Sequence, residues 1–236
     1  MRYFVVIPAA GSGRRFSSSA AKQYAPLGSS TVIEHALAPF EADPDCAGIV
    51  VALSPGDATW PQIAARRTRV IRTAQGGAER AHSVRNALHS LVSHARDDDW
   101  IMVHDAARPC LATSDIEALK RQLAPHPVGG LLAMPLADTL KRALEPRAKV
   151  THVDDTIDRN GLWRAATPQV FRLGMLLRAL DAAIESQRLP TDEAQAIEWT
   201  GQRPCLVAGR ADNIKVTTAE DLALAGAILG LRQEKK

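Results

Sequence analysis

A glycine-rich loop with fixed positive charge follows the first apolar segment of the chain. Residues 8–16 read PAAGSGRRF, and Lys22 lies shortly after them. Glycines directly after a strand let backbone amides approach phosphate oxygens, because no Cβ is in the way. Arg15 and Lys22 add cations that suit a polyphosphate, whose reacting phosphorus gathers negative charge in the transition state. The loop therefore indicates a phosphate site, although a tight turn with solvated arginines fits the same residues.

This loop departs from two common phosphate-binding motifs. A dinucleotide-binding loop needs a third glycine where this chain has Phe16, and it needs an acidic residue about 20 residues further on, which is missing here. The P-loop of nucleoside triphosphatases needs Gly-Lys-Ser/Thr, but Arg14 follows Gly13. The chain also lacks a Tyr-x-x-x-Lys pair. An NAD(P)-dependent reductase is therefore a distant alternative.

A second polar group follows the apolar segment 100–103. Residues 104–109 read HDAARP. An aspartate at the carboxyl end of a strand is well placed to hold a Mg²⁺ ion that bridges phosphates, because this hard cation prefers carboxylate oxygen. Asp105 is therefore a candidate metal ligand, and Arg108 could bind a second anion with two hydrogen bonds. Taken alone, Asp105 could equally cap the next helix.

Further polar clusters occur along the chain. Residues 76–83 (GGAERAHS) open a helix and could place amides and the Ser83 hydroxyl near a nucleobase or ribose, although an ordinary helix cap is the simpler interpretation. Asp212 is either a second metal ligand or a loop-fixing residue, and we favour the second role. Loops that follow strands often carry binding residues. The basic residues predicted in such loops are Arg15, Lys22, Arg108, Arg159 and Lys215.

Short apolar strands alternate with segments of helical periodicity, which predicts a doubly wound, mostly parallel α/β sheet covered on both faces. Ala81, Val84, Leu88 and Leu91 form one apolar stripe. Helix starts are predicted by Ser/Thr-x-x-Glu/Asp patterns at 31–34, 114–117 and 218–221. Strands are predicted at 3–7, 49–53, 70–71, 100–103, 130–133 and 205–208, and helices at 78–94, 173–187 and 192–199. We expect a single Rossmann-like domain over residues 1–236.

One segment breaks this alternation. Residues 138–153 contain two short strand-like stretches, 139–142 and 149–153, on either side of Glu145-Pro146. Neither stretch has enough apolar residues to bury a face. We therefore expect a projecting β-hairpin arm, which either lies on a second subunit or forms a solvated flap.

Composition excludes several classes of protein. The 236 residues carry a net charge of only +3, and 4% of them are aromatic, which argues against a nucleic-acid partner. Cys46, Cys110 and Cys205 lie far apart, so neither a disulfide framework nor a zinc site is predicted. No His-Glu-x-x-His or Gly-x-Ser-x-Gly motif occurs, and no apolar run is long enough for a membrane span. We expect a soluble cytoplasmic enzyme with no membrane partner.

Taken together, these motifs resemble the 2-C-methyl-D-erythritol 4-phosphate cytidylyltransferase family of the non-mevalonate isoprenoid pathway. The resemblance spans nearly the whole chain in the same order. So many matching motifs identify a family far more specifically than one glycine-rich loop does. The matching segments are 8–15 with 22–24, 76–84, 103–109, 138–139, 158–163, 167–169, 191–194 and 212–217.

The resemblance implies a Mg²⁺-dependent homodimer that joins CTP to methylerythritol 4-phosphate and releases pyrophosphate. It implies that Arg15 and Lys22 stabilise charge at the α-phosphorus, that Asp105 holds the metal, and that Arg159 and Lys215 position the substrate phosphate. The nucleotide would contact Pro8, Ala9, Ala10, Gly11, Gly13, Gly77, Ser83 and Ala106. The second substrate would contact Arg108, Thr139, Thr167 and Thr191, with Thr139 and Arg159 provided by the other subunit.

Other interpretations remain open. A related cytidylyltransferase for another polyol phosphate, such as ribitol 5-phosphate, would share the CTP half of the site. A non-catalytic nucleotide-binding module is also possible, but it does not explain the many basic residues in loops. Where this family often has proline before the lysine, the chain has Ala20-Ala21, which predicts a less rigid loop.

Overall fold

The computed structural model describes residues 1–11, 21–145 and 150–233. Strands and helices alternate along most of the chain, with a 3₁₀ turn at Lys22–Tyr24. The strands are β1 (Tyr3–Pro8), β2 (Pro26–Leu27), β3 (Ser30–Thr31), β4 (Cys46–Leu53), β5 (Ile71–Gln75), β6 (Trp100–Val103), β7 (Gly129–Pro135), β8 (Leu140–Ala143), β9 (Val153–Ile157), β10 (Trp163–Arg172) and β11 (Cys205–Ala208). The helices are α1 (Val32–Ala42), α2 (Trp60–Ala64), α3 (Arg80–Leu91), α4 (Thr113–Leu123), α5 (Leu173–Glu185), α6 (Glu193–Glu198) and α7 (Ala219–Gln233).

Within these described residues, seven strands form the central sheet in the order β11-β7-β10-β6-β1-β4-β5. Strand β10 runs antiparallel to both of its neighbours, and the other strand pairs are parallel. The carboxyl ends of β1, β4, β5, β6, β7 and β11 therefore meet at one edge of the sheet, where ligands of such folds bind. This arrangement confirms the predicted mostly parallel α/β sheet.

Side chains that alternate along β1 enter two separate cores. Tyr3, Val5 and Ile7 pack with apolar residues of α1 and α4 on one face of the sheet. Phe4 and Val6 pack on the other face with α3 and α5. The predicted stripe on α3 is buried, as expected for a helix that covers the sheet. No helix in the described ranges is long and apolar enough to cross a membrane.

Two of the three predicted helix starts are confirmed. The backbone amide of Thr31 donates to Glu34 at 2.9 Å, and the amide of Thr218 donates to Asp221 at 2.9 Å. The start predicted at Ser114 is wrong, because Ala112 is the N-cap of α4 and Ser114 lies inside the helix. Ala112 has no side-chain oxygen to cap α4, so the capping box predicted at residues 114–117 does not form.

The predicted arm is an antiparallel hairpin, but its second strand is misplaced in the prediction. Strand β8 pairs with β9, with Leu140 opposite Ile157. Strand β9 begins at Val153, the residue at which the predicted strand 149–153 ended. Prolines and glycines do not mark this boundary, and the exposed residues of β9 give no clear alternation. Residues 146–149 of the connecting segment lie outside the described part of the chain.

Strand β5 also differs from its prediction. It spans Ile71–Gln75, whereas Val70 lies outside it and is 86% exposed. Strand β10 was not predicted, because its middle contains the polar residues Thr167 and Gln169 and a proline between them. The Thr167–Pro168 peptide bond is cis, and the pairing of β10 with β7 is interrupted there.

A buried hydrogen bond anchors β1 at the sheet edge opposite the carboxyl ends. The Tyr3 hydroxyl donates to the Asp43 carboxylate at 2.8 Å, and Lys120 also contacts this carboxylate at 3.2 Å. We expect Tyr3→Phe to lower the free energy of unfolding by about 1.5–3 kcal/mol, because one hydrogen bond to a charged acceptor is lost. Urea denaturation measures this change. An unchanged midpoint would contradict the contribution of the bond, and kcat provides the control because Tyr3 lies far from the ligand-binding edge.

Candidate active site

A cleft of about 140 Å³ lies at the carboxyl edge of the sheet, between the loops after β1 and β6 and the segment after β11. Its polar lining includes Lys22, Gln23, Arg80, Asp105 and Lys215. Such a position is where open α/β sheets bind ligands. The described lining contains three cations and one carboxylate, so the cleft suits an anion.

The loop after β1 forms one wall, and its backbone is fixed by hydrogen bonds. The amide of Ala9 donates to Ala52 at 2.8 Å, which extends the pairing of β1 with β4. The Gln23 side chain donates to the carbonyl of Ala9 at 2.7 Å, and Ser54 donates to the carbonyl of Ala10 at 3.0 Å. Gln23 is buried and therefore holds the 3₁₀ turn that carries Lys22 against this loop.

Seven of the predicted site residues line this cleft. Two further predicted site residues, Gly13 and Arg15, lie outside the described residues, as does Ala20 of the loop predicted to be less rigid. Ala10 lies in the same loop, next to the lining residues. The seven are Pro8, Ala9, Gly11, Lys22, Asp105, Ala106 and Lys215.

Asp105 is the electrostatic centre of the cleft. Its carboxylate lies 3.0 Å from Arg80 Nε, 2.9 Å from Lys215 Nζ and 3.5 Å from Arg108 Nε. Burial alone would raise the pKa of Asp105, but these three positive charges outweigh it and hold the pKa well below its ordinary value. The carboxylate is therefore ionised at any physiological pH.

Arg80 joins Asp105 to a second buried carboxylate. Its two terminal nitrogens donate to Glu193 at 2.6 and 3.0 Å, while its Nε donates to Asp105. Burial raises the pKa of Glu193, and the charge of Arg80 opposes this effect. A network of two arginines, one lysine and two carboxylates thus lies along one side of the cleft.

Thr167 fixes the backbone of Asp105 from behind the cleft. The amide of Asp105 donates to Thr167 Oγ1 at 3.1 Å, and the ring of His104 lies 3.0 Å from the same hydroxyl. Burial lowers the pKa of His104 to about 4, so its imidazole is neutral near pH 7. The Thr167 hydroxyl is buried and engaged in these bonds, and its predicted contact with a substrate stays a prediction.

The segment after β11 brings Lys215 to Asp105. Asn213 donates from its side chain to the carbonyl of Thr167 at 2.8 Å and accepts from Arg108 through its backbone carbonyl at 2.8 Å. The amide of Val216 donates to Ala107 at 2.8 Å. These bonds tie the segment to β10 and to the loop after β6, so Lys215 is held between two fixed neighbours. Arg108 helps to hold this segment through its bond to Asn213, and its predicted contact with a substrate stays a prediction.

Asp212 lies in the same segment and pairs with two arginines. Its carboxylate oxygens accept from Arg210 at 2.9 and 2.7 Å, and Arg232 of α7 lies 2.9 Å away. Both oxygens are engaged in these contacts. The geometry favours the loop-fixing role over that of a second metal ligand.

The glycine turn before α3 packs directly against the first loop. The amide of Gly77 donates to Ser83 Oγ at 3.0 Å, and Ser83 donates to the carbonyl of Glu79 at 3.2 Å. Ser83 is buried and holds the turn in shape. The predicted nucleotide contacts of Gly77 and Ser83 stay predictions, because neither residue lines the described cleft.

We expect Gly76→Ala to impair nucleotide binding, because a Cβ at this position would lie 2.2 Å from the Cβ of Ala10 and would push the two loops apart. Such a forced shift costs about 1–3 kcal/mol. The measurement is the dissociation constant for CTP together with the melting temperature. Gly230→Ala is the matched control, since a Cβ there meets no atom within 4 Å. Equal behaviour of the two variants would contradict the close packing of the loops.

Three predicted substrate residues lie outside the cleft of this subunit. Thr139 and Arg159 are exposed near the base of the arm, where Arg159 donates to the carbonyl of Ala137. Thr191 is exposed beside α6, and its amide donates to Gln195 at 2.8 Å. The structure therefore does not bring these residues together with Lys215, and their predicted roles stay predictions.

The residues of the cleft fit a metal ion that arrives with a polyphosphate. No group of three or more metal-ligating side chains occurs among the residues that the structure describes. Asp105 supplies one ionised carboxylate, and Mg²⁺ typically binds one or two carboxylates together with substrate phosphates and water. An all-protein cage is therefore not required for a metal at this position.

Sequence reasoning gave no role to Arg80, Glu193 and Gln23. An arginine at the first position of α3 is a weak signal that was available, because a cation is unfavourable at the amino end of a helix unless a carboxylate lies near it. Glu193 gave no such signal, because an acidic residue is ordinary at the start of a helix.

Comparisons with known proteins agree on one family. The family model of 2-C-methyl-D-erythritol 4-phosphate cytidylyltransferase (IspD) matches residues 3–231. Proteins of that name from Pseudomonas fluorescens (strain SBW25) and Pseudomonas putida (strain GB-1) are 49% and 51% identical to this chain, over 93% of its length and 92% of theirs.

Solved structures give the same result. The crystal structure of a 4-diphosphocytidyl-2C-methyl-D-erythritol synthase is 39% identical, with a TM-score of 0.82 over 97% of this chain and 98% of the other. That of the Francisella tularensis 2-C-methyl-D-erythritol 4-phosphate cytidylyltransferase is 33% identical, with a TM-score of 0.80 over 97% of this chain and 100% of the other. The chain therefore belongs to the 2-C-methyl-D-erythritol 4-phosphate cytidylyltransferase family.

Proposed function

We propose that the cleft around Asp105 is the site at which this chain transfers the cytidylyl group of CTP to 2-C-methyl-D-erythritol 4-phosphate. As a member of its family, the chain is a nucleotidyltransferase that forms 4-diphosphocytidyl-2-C-methyl-D-erythritol and pyrophosphate for isoprenoid biosynthesis. The observation that carries the location is that Lys22, Asp105 and Lys215 line one cleft at the carboxyl edge of the sheet, with Lys215 2.9 Å from Asp105.

The reaction needs charge stabilisation and positioning more than proton transfer. A phosphate oxygen of methylerythritol phosphate forms a bond to the α-phosphorus of CTP, and the bond from that phosphorus to the β-phosphate oxygen breaks. The attacking phosphate is already anionic, so no general base is required. The described lining of the cleft contains no histidine or cysteine, and His104 is buried behind it in neutral form.

The two lysines of the cleft then have distinct roles. Lys22 stabilises negative charge at the α-phosphorus, together with Arg15 of the same loop. Lys215 lies 2.9 Å from Asp105 and positions the attacking phosphate. Ala9, Gly11 and Ala106 present small side chains or none to the cleft, so backbone groups can approach the nucleotide.

Mg²⁺ is part of the proposal. Asp105 would hold the ion, which would neutralise phosphate charge when bound. We place the enzyme in the cytoplasm and treat residues 1–236 as one domain.

The proposed assembly is a homodimer in which the arm of each subunit completes the site of the other. The hairpin leaves Leu144, Val150 and Val153 more than half exposed, which is costly unless a partner covers them. Thr139 and Arg159 lie at its base and would add a hydroxyl and a guanidinium to the partner's substrate site.

Pyrophosphate release tests the reaction and its substrate. We expect release from CTP with methylerythritol 4-phosphate in the presence of Mg²⁺, and a much lower rate with EDTA or with ribitol 5-phosphate. Faster release with ribitol 5-phosphate would assign a different polyol phosphate. No release with either compound would contradict the proposed reaction.

A further inference from the structure

Arg80 occupies an unusual position for a cation. It is the first residue of α3, where the helix dipole repels positive charge, and it lines the cleft. Its guanidinium is held from two sides, with Nε on Asp105 and the terminal nitrogens on Glu193. A planar group with bonds on both edges has one orientation, so Arg80 acts as a rigid bridge between the two carboxylates.

Glu193 is buried almost completely, with 1% of its surface exposed. Its carboxylate is not the cap of its own helix, because Asp192 is the N-cap of α6 and accepts from the amide of Gln195 at 2.9 Å. Burial of a charge is costly unless the charge is paired. The pairing with Arg80 therefore explains why a carboxylate is placed behind the cleft at all.

The charges around Asp105 show what Glu193 changes. Arg80, Arg108 and Lys215 all lie within 3.5 Å of Asp105. Without Glu193, Asp105 would be the sole carboxylate of this described group, and the whole charge of Arg80 would act on it. With Glu193 present, much of the Arg80 charge is neutralised from the other side, which leaves Asp105 more available to a cation.

We propose that Glu193 is a positioning residue that orients Arg80 and offsets its charge, so that Asp105 keeps the geometry and the negative potential needed to bind a divalent cation with the nucleotide. This inference rests on the proposed function of the cleft. Glu193 itself touches neither substrate nor metal in this role. Partners behind a metal ligand commonly change metal affinity 10–100-fold when they are replaced.

Glu193→Gln is the main test. The variant removes one negative charge and one of the two hydrogen bonds that Glu193 accepts from Arg80, while the shape of the side chain is retained. We expect the dissociation constant of Mn²⁺, titrated by electron paramagnetic resonance with CTP and no second substrate, to rise about tenfold. We expect the affinity for CTP in EDTA to be unchanged or tighter, because the group becomes more positive by one charge. A purely structural defect would weaken both.

Matched variants separate the effect from general damage. Asp181→Asn breaks a more exposed ion pair, between Arg85 of α3 and Asp181 of α5, away from the cleft, and should leave both affinities unchanged. Glu193→Asp keeps the charge and should restore part of the Mn²⁺ affinity. Arg80→Lys keeps the charge but cannot bridge two carboxylates, so we expect weaker Mn²⁺ binding even where Glu193→Gln does not fold.

The two hypotheses fail in different ways. A wild-type enzyme without pyrophosphate release contradicts the proposed function. An active wild type, with Mn²⁺ affinity unchanged in both Glu193→Gln and Arg80→Lys, overturns the role of Glu193 alone. Loss of CTP affinity in EDTA to the same degree as loss of Mn²⁺ affinity also overturns it.

Discussion

Lys22→Ala is expected to lower kcat by roughly 10²–10³-fold, the range for removing one fixed group that stabilises transition-state charge. Lys22 lines the cleft, and the buried Gln23 beside it holds the 3₁₀ turn to the carbonyl of Ala9. The turn that carries Lys22 is therefore held in place before the reaction begins. Because charge at the α-phosphorus grows during the reaction, KM for CTP should change less than kcat. Steady-state pyrophosphate release measures both constants.

The control for this variant is Arg121→Ala. Arg121 is an exposed residue of α4, outside the described lining of the cleft, and its loss removes the same net charge from the protein. Arg121→Ala should keep wild-type kcat, and Lys22→Arg should recover part of the activity. Turnover close to wild type in correctly folded Lys22→Ala would remove Lys22 from the catalytic machinery.

Local signals in the sequence predicted most of the helices and strands. The Thr31 and Thr218 patterns marked real helix starts, because capping is a contact between residues three apart. The stripe on α3 was also predicted, since one buried helix face leaves a clear period. Strands β6 and β11 were predicted from their short apolar runs. Parallel strands place the loops after them at one edge of the sheet, which is why Lys22, Asp105 and Lys215, each predicted to follow a strand, line one cleft.

The parts that failed depend on contacts between distant residues. The sequence of strand β10 resembles a polar loop, yet Gln169 is buried. Its burial is tolerated because its side chain donates to Asp192 and accepts from the backbone amide of Ala194. The bond between Arg80 and Glu193 joins residues that no short pattern relates. The second strand of the arm is exposed on nearly every residue and so shows no period. Long-range polar contacts of this kind leave no local pattern from which they could be predicted.

Subunit complementation is expected to restore activity when Lys22→Ala and Arg159→Ala chains are combined. In the proposed dimer, each cleft uses its own Lys22 and the Arg159 of the partner arm. A mixed dimer therefore has one cleft in which both residues are intact and one in which both are missing. Each variant alone should lose most of its kcat, because every cleft of its homodimer lacks one group.

Random pairing makes half of the dimers mixed, and half of their clefts intact, so the combined sample should recover about a quarter of wild-type activity. Co-expression with two different affinity tags isolates the mixed dimer for a direct measurement. The control combines Lys22→Ala with Asp105→Asn, which lie in the same cleft, so no mixed dimer has an intact site. If Arg159 served the cleft of its own subunit, the first combination would stay as inactive as this control, and the exchanged arm would be excluded.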